Sequence, residues 1–153
     1  MNTETEHRFR RAAGFTLVEV SIVVGLIGIL LVSALPVGRA LDRWSLSRGA
    51  TIVERHLAGV RLRAVAHRER LRVRVISPGT LVTLDDAGLV VDRRVLAGPG
   101  NHLLDSIRIR PATIGYNSRG HGSAGSLYLY RADRGIRVIS NFVGRIRRHS
   151  FRP

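Results

Sequence analysis

This 153-residue chain has neither cysteine nor lysine. Without cysteine there is no disulfide, no thiolate-held zinc and no cysteine nucleophile, so the core must hold without covalent help. Without lysine the Gly-x-x-x-x-Gly-Lys phosphate cradle is excluded. Aromatics make up only 5% of residues, and 11 carboxylates face 25 basic side chains, every one of them arginine. The formal charge is therefore +14. Two readings of that imbalance stand side by side. Phosphate neutralisation dominates non-specific nucleic-acid affinity, so nucleic acid is a natural partner. An arginine-rich composition also produces a merely solvated basic surface. With 44% hydrophobic residues and no short repeat, a collagen-like or wholly disordered chain is excluded, and the length suits one modest domain.

Catalytic constellations are scarce too. His56, His67, His102, His121 and His149 show no His-x-x-x-His or other ligand spacing. Ser123 and Ser126 lie in a glycine-rich stretch without a Gly-x-Ser-x-Gly elbow. The sequence thus predicts no enzyme, and no metal or cofactor is expected.

What the chain does have is a long apolar run. Arg8, Arg10 and Arg11 form a basic head, Ala12, Ala13 and Gly14 follow, and the run extends from Phe15 to Leu35. About 21 residues at about 1.5 Å each cover about 30 Å, enough to span bilayer hydrocarbon. A secretory signal would be cut after its apolar region, whereas here the small-residue site precedes the run, so cutting leaves the hydrophobic helix in place. The basic head favours a cytoplasmic start, with the rest of the chain outside. Glu19 is the one ionisable residue in the run, and a carboxylate at bilayer depth costs about 2.5 kcal/mol or more without a partner. It either snorkels or is protonated near the membrane edge, or it meets an amine. Cutting after Gly14 would place the Phe15 ammonium four residues away, on the same chain or on a neighbour. Gly25 and Gly28 suit close helix packing and equally suit ordinary membrane composition.

The segment Gly14-Phe15-Thr16-Leu17-Val18-Glu19-Val20, with the run and Pro36 behind it, resembles the class III signal of type IV pilins and pseudopilins. The resemblance implies cleavage between Gly14 and Phe15 by a prepilin peptidase and N-methylation of Phe15. It also implies that Glu19 neutralises the amino terminus of an adjacent subunit during filament assembly. Cutting there removes three arginines and two glutamates, so the charge falls only by one.

After Pro36 the period changes. Leu46, Ala50, Val53, Leu57, Val60 and Ala64 recur at helical spacing on one stripe, with Arg48, Arg55, Arg61 and Arg68 largely off it. One long, interrupted helix from Phe15 to about Arg68 is expected, its stripe packed on a sheet. Leu71, Val73 and Val75 alternate with arginines as a strand. Leu81–Leu84 and Leu89–Val91 read as hairpin arms around Asp85-Asp86-Ala87-Gly88. Ser77-Pro78-Gly79 reads as a turn and 97–101 as loop. Further strands are predicted at 106–110, 113–116, 126–130 and 135–140, with a turn at 132–135 and no element at 118–125. The class is α+β.

The order of Ile114-Gly115-Tyr116, Arg119-Gly120, a hairpin and then Gly144-Arg145-Ile146-Arg147 resembles the GspH/FimT branch of pseudopilins and minor pilins. That branch has the type IV pilin fold, a long amino-terminal helix packed on a small antiparallel β domain. Some members carry a carboxy-terminal disulfide, which this chain lacks. Arg145 and Arg147 share a face if the segment is a strand, with Ile146 toward the core and Arg148 and Arg152 following in a tail. Guanidinium forks there would grip phosphates without reading bases. In FimT-like minor pilins the motif implies binding of extracellular DNA for uptake. In GspH-like pseudopilins a similar ending belongs to a type II secretion filament, and a solvated strand face with Gly144 needed for a bulge or close packing is the plain structural reading.

The expected plan is a prepilin leader at 1–14, a transmembrane or filament-core helix at 15–36, an amphipathic helix at 37–68, and an antiparallel β region at 69–153. The expected partners are other pilins, prepilin peptidase, the inner membrane, and double-stranded DNA held by Arg145, Arg147 and Arg148. The expected location is the inner membrane as precursor, with the globular part in the periplasm, and then an extracytoplasmic filament.

Overall fold

A computed structural model describes residues 16–76, 79–101 and 103–152. The chain divides after Gly38 into two units. Helix α1 (Leu17–Ala66) begins in the first and supplies the second with its only helix among the described residues. Thr16 starts it as an N-cap, its hydroxyl accepting the Glu19 N–H at 3.2 Å. The helix is continuous, Pro36 included, rather than interrupted.

From residue 39 onward the helical stripe becomes the centre of the core. Leu46, Ala50, Val53, Leu57, Val60 and Ala64 are all buried, as their spacing predicts. They face two four-stranded antiparallel sheets. The first runs β3-β2-β1-β5, built from β1 (Leu71–Ile76), β2 (Thr80–Leu84), β3 (Val90–Val95) and β5 (Thr113–Tyr116). The second runs β4-β6-β7-β8, built from β4 (Ser106–Arg110), β6 (Gly125–Arg131), β7 (Arg134–Ser140) and β8 (Ile146–Phe151). The chain therefore crosses from the first sheet to the second at β4, back at β5, and over again at β6. Leu71, Leu81, Ile114, Leu127, Leu129 and Val138 bring both sheets into one apolar cluster with the helix. Burying each such side chain contributes about 1.5–3 kcal/mol. A polar link joins the sheets inside it: the Tyr116 and Ser140 hydroxyls lie 2.9 Å apart, both buried. Burial pushes the Tyr116 phenol above its ordinary range, a shift opposed by the Ser140 hydrogen bond and by Arg61.

Three segments depart from the sequence reading. Leu96, Ala97 and Leu104 flank or lie in a stretch that reads as loop, yet all three are buried. Residues 118–125, which give no sequence pattern, are held by a side-chain device. Asn117 Oδ1 accepts the N–H groups of Arg119 and His121, each at 3.0 Å, and Gly122 N–H donates to Phe142 O at 2.8 Å. The Gly-Arg-x-Arg segment is only half strand. Gly144 adopts φ +81°, Gly144 N–H donates to Asn141 O, and Arg145 N–H donates to Asn141 Oδ1 at 2.8 Å. These bonds close a turn, so β8 starts at Ile146 and continues to Phe151 where a tail is expected. Ser77, Pro78 and His102 lie outside the described residues.

Candidate functional site

In the first unit the helix presents its apolar side chains outward. Leu17 is 84% exposed and Val32 69%, and the bulky aliphatics between them are exposed as well. Mean hydropathy reaches 2.6 in the most apolar window, none of it buried. Its hydroxyls are internally satisfied, because Ser21 and Ser33 each donate to the carbonyl four residues back at 2.8 Å. Such a surface needs lipid or neighbouring helices to cover it. Glu19 is exposed within the first turn, where the partial positive charge of the helix start favours a carboxylate. Gly14 and Phe15, the expected cleavage and methylation positions, lie outside the described residues.

The carboxy-terminal arginines fall into two environments. Arg145 in the turn and Arg147 on β8 are exposed, with no carboxylate at ion-pair distance among the described residues. Arg148 differs. It stands opposite Val138, whose side chain is buried, and so points to the helix side of the sheet. There its Nε lies 3.9 Å from Glu54 Oε1. Ile146 is half-buried against the core, as the alternation predicts. Gly144 has a packing reason as well as a conformational one. A Cβ there would meet Arg61 Nε at 2.6 Å, and Arg61 Nε donates to Gly120 O at 2.9 Å. Arg61 therefore ties the 117–122 loop and the Asn141–Arg145 turn to the helix, and the motif's glycine is shaped around it.

One further polar cluster lies between α1 and the first sheet. His56 Nε2 is 3.0 Å from Thr83 Oγ1, and Nδ1 is 3.6 Å from Asp92 Oδ2. Arg55, Arg63 and Arg94 line the cleft above it, which encloses about 390 Å³. Burial lowers the His56 pKa below its ordinary value, opposed by Asp92 and reinforced by Arg94. His56 and Thr83 are both buried, and their hydrogen bond satisfies the imidazole at the floor of the cleft. Among the described residues no three His, Asp or Glu side chains gather as a metal site.

Residues 9–35 match the prokaryotic N-terminal methylation motif. No curated protein sequence matches the chain. Among solved structures, the fold is similar to the type IV minor pilin FimU of Pseudomonas aeruginosa strain PAO1. In one crystal form of FimU the TM-score is 0.57 and the identity 15%, over 71% of this chain and 90% of that one. It is also similar to the minor pseudopilin EpsH of the Vibrio cholerae type 2 secretion system. There the TM-score is 0.55 and the identity 15%, over 69% of this chain and 97% of that one. At such identities the likeness is one of fold, while the methylation motif is read from the sequence itself. The chain thus carries a prokaryotic N-terminal methylation motif along its exposed apolar helix, and its fold is similar to those of a type IV minor pilin and a minor pseudopilin.

Proposed function

We propose that this chain is a type IV pilus subunit that binds double-stranded DNA for uptake through Arg145 and Arg147, with Arg148 as a weaker third cation. In this reading, prepilin peptidase cuts between Gly14 and Phe15, and Phe15 is N-methylated. Glu19 then pairs with the amino terminus of an adjacent subunit as the helix leaves the bilayer for the filament. The basic head holds the leader in the cytoplasm and the globular part in the periplasm. The observation that carries DNA contact is the exposure of Arg145 and Arg147, neither with a carboxylate at ion-pair distance among the described residues, on a chain of charge +14. Arg148 contributes less, because Glu54 already competes for it.

The test is a gel-shift titration of duplex DNA with the purified chain in mild detergent. Arg145→Ala combined with Arg147→Ala should abolish the shift at moderate salt and leave the circular dichroism spectrum unchanged. Any residual binding should show a log–log salt slope shallower by about 1.8, the loss of two phosphate contacts. Unchanged affinity removes the proposal. A purely structural role in a type II secretion filament is the second reading, favoured by the likeness to EpsH. Deletion that blocks exoprotein export and leaves DNA uptake intact would select it.

A further inference from the structure

The second sheet turns one face to the helix and the other away from it. Ile107, Ile109, Leu127, Leu129, Ile136 and Val138 occupy the inward positions. The outward positions carry different chemistry. Arg108, Tyr128, Arg137 and His149 stand in one row across all four strands. Arg110 and Arg147 stand at the two ends of the next row, and Tyr130 and Phe151 belong to the row on the other side. No outward position on these strands is acidic. Among the described residues, none of the four arginines has a carboxylate at ion-pair distance.

The rings and guanidinium groups are interleaved. Arg137 lies over the Tyr128 ring at 5.3 Å, and Arg108 over the Tyr130 ring at 5.8 Å. Arg137 Nε also donates to Ser126 Oγ at 3.1 Å, which fixes that guanidinium on the face. Phe151 stands nearly perpendicular to both tyrosines, at 82° and 89°, so it stacks flat on neither. Strands lie about 4.8 Å apart, so Arg108 and Arg137 flank Tyr128 about 10 Å from each other, and Arg110 and Arg147 are about 14 Å apart.

We infer that this outward face is a stacking platform for single-stranded nucleic acid. Two features select that occupant. The arginines supply phosphate contacts with no carboxylate among the described residues to oppose them, which matches a polyanion and disfavours a second copy of this basic chain. Tyr128 and Tyr130, each beside a planar guanidinium, offer stacking surfaces that suit unpaired bases and that a duplex, with its base faces already stacked, cannot use. The inference rests on the proposed nucleic-acid reading only through Arg147, which borders both sites; its ligand and its other residues are distinct.

The experiment is fluorescence anisotropy of a labelled oligothymidylate, and separately of a duplex, titrated with the full chain in mild detergent. Tyr128→Leu with Tyr130→Leu keeps bulk and removes the rings. It should weaken oligothymidylate binding at least about fivefold and leave duplex binding within twofold. Tyr128→Phe with Tyr130→Phe keeps the rings and should retain binding, which separates stacking from loss of the hydroxyls, and an unchanged circular dichroism spectrum and urea midpoint in the leucine pair separate it from damage to the fold. Arg108→Gln with Arg137→Gln should flatten the salt slope for the single strand by about 1.4. An oligonucleotide carrying 5-iododeoxyuridine should cross-link under ultraviolet light to Tyr128, Tyr130 or Phe151.

Absence of oligothymidylate binding overturns the inference, as does insensitivity to the tyrosine pair. So does inorganic polyphosphate competing as well as oligothymidylate per phosphate, which would reduce the face to a polyanion surface. Cross-linking of the face to a neighbouring filament subunit, with oligothymidylate binding unmoved by the tyrosine pair, assigns it to protein contact instead. Loss of duplex binding in Arg145→Ala with Arg147→Ala addresses only the earlier proposal, so either can fail alone.

Discussion

Gly144→Ala isolates the coupling between the carboxy-terminal turn and the helix. The backbone at Gly144 has φ +81°, and a residue with a Cβ pays about 1–2 kcal/mol in that left-handed region. The new methyl would also sit 2.6 Å from Arg61 Nε and 2.8 Å from its Cδ, so the arginine must move. Moving it breaks the 2.9 Å hydrogen bond to Gly120 O. Charged hydrogen bonds contribute about 1.5–3 kcal/mol, but this one is only partly buried, so about 1 kcal/mol is the reasonable share. The expected destabilisation is about 2–3 kcal/mol. It is measured by urea unfolding in mild detergent, followed by far-ultraviolet circular dichroism. Introduced into Arg61→Ala, the same change is relieved of its three nearest contacts and should cost mainly the conformational part, about 1–2 kcal/mol. Equal costs in the two backgrounds would show that Arg61 contact is not the cause. A total below about 0.5 kcal/mol would remove both parts of the reasoning.

Two other expectations follow from the same structure. Because burial lowers the His56 pKa in the folded state, the unfolded chain binds the proton more readily. Stability should be complete above the unfolded value of about 6.5 and decline as pH falls from there through the lower folded value. The urea midpoint should drop between pH 7 and 5.5, and less so in His56→Gln; a midpoint rising on acidification contradicts this. At the other end of the chain, mass spectrometry of membrane-extracted protein should find a terminus at Phe15 bearing a methyl group. A chain still starting at Met1, or one trimmed beyond the apolar run, would refute the processing proposed here.

The helix and most strands were legible because their signals are local. Leu46 to Ala64 recur at helical spacing, and Leu71, Val73 and Val75 alternate. The partition into two sheets was not legible, since β1 pairs with β2 and with the distant β5, a choice made by long-range packing. Nor was the role of Arg61, which lies off the apolar stripe and finds its partner 59 positions away. Leu96, Ala97 and Leu104 lack any period, so their burial left no trace in the pattern. The spacing of Arg145 and Arg147 was visible, but Gly144 ends the preceding turn and shifts the strand start to Ile146. The row joining Arg108, Tyr128, Arg137 and His149 needs the cross-strand register, although Ser-Ile-Arg-Ile-Arg and Ser-Leu-Tyr-Leu-Tyr already separated apolar from polar positions.

The final strand shows how a chain without sulfur bridges fastens its end. β8 pairs with β7 over its full length, and the Phe151 ring covers Gly135, where even a methyl would approach it to 2.4 Å. Aromatic cover over bare backbone, with edge contacts to Tyr128 and Tyr130, closes the sheet where a covalent staple is missing. The closure is therefore indifferent to the redox potential on either side of a membrane. It needs no oxidase or isomerase to form, and reducing agents have nothing there to undo.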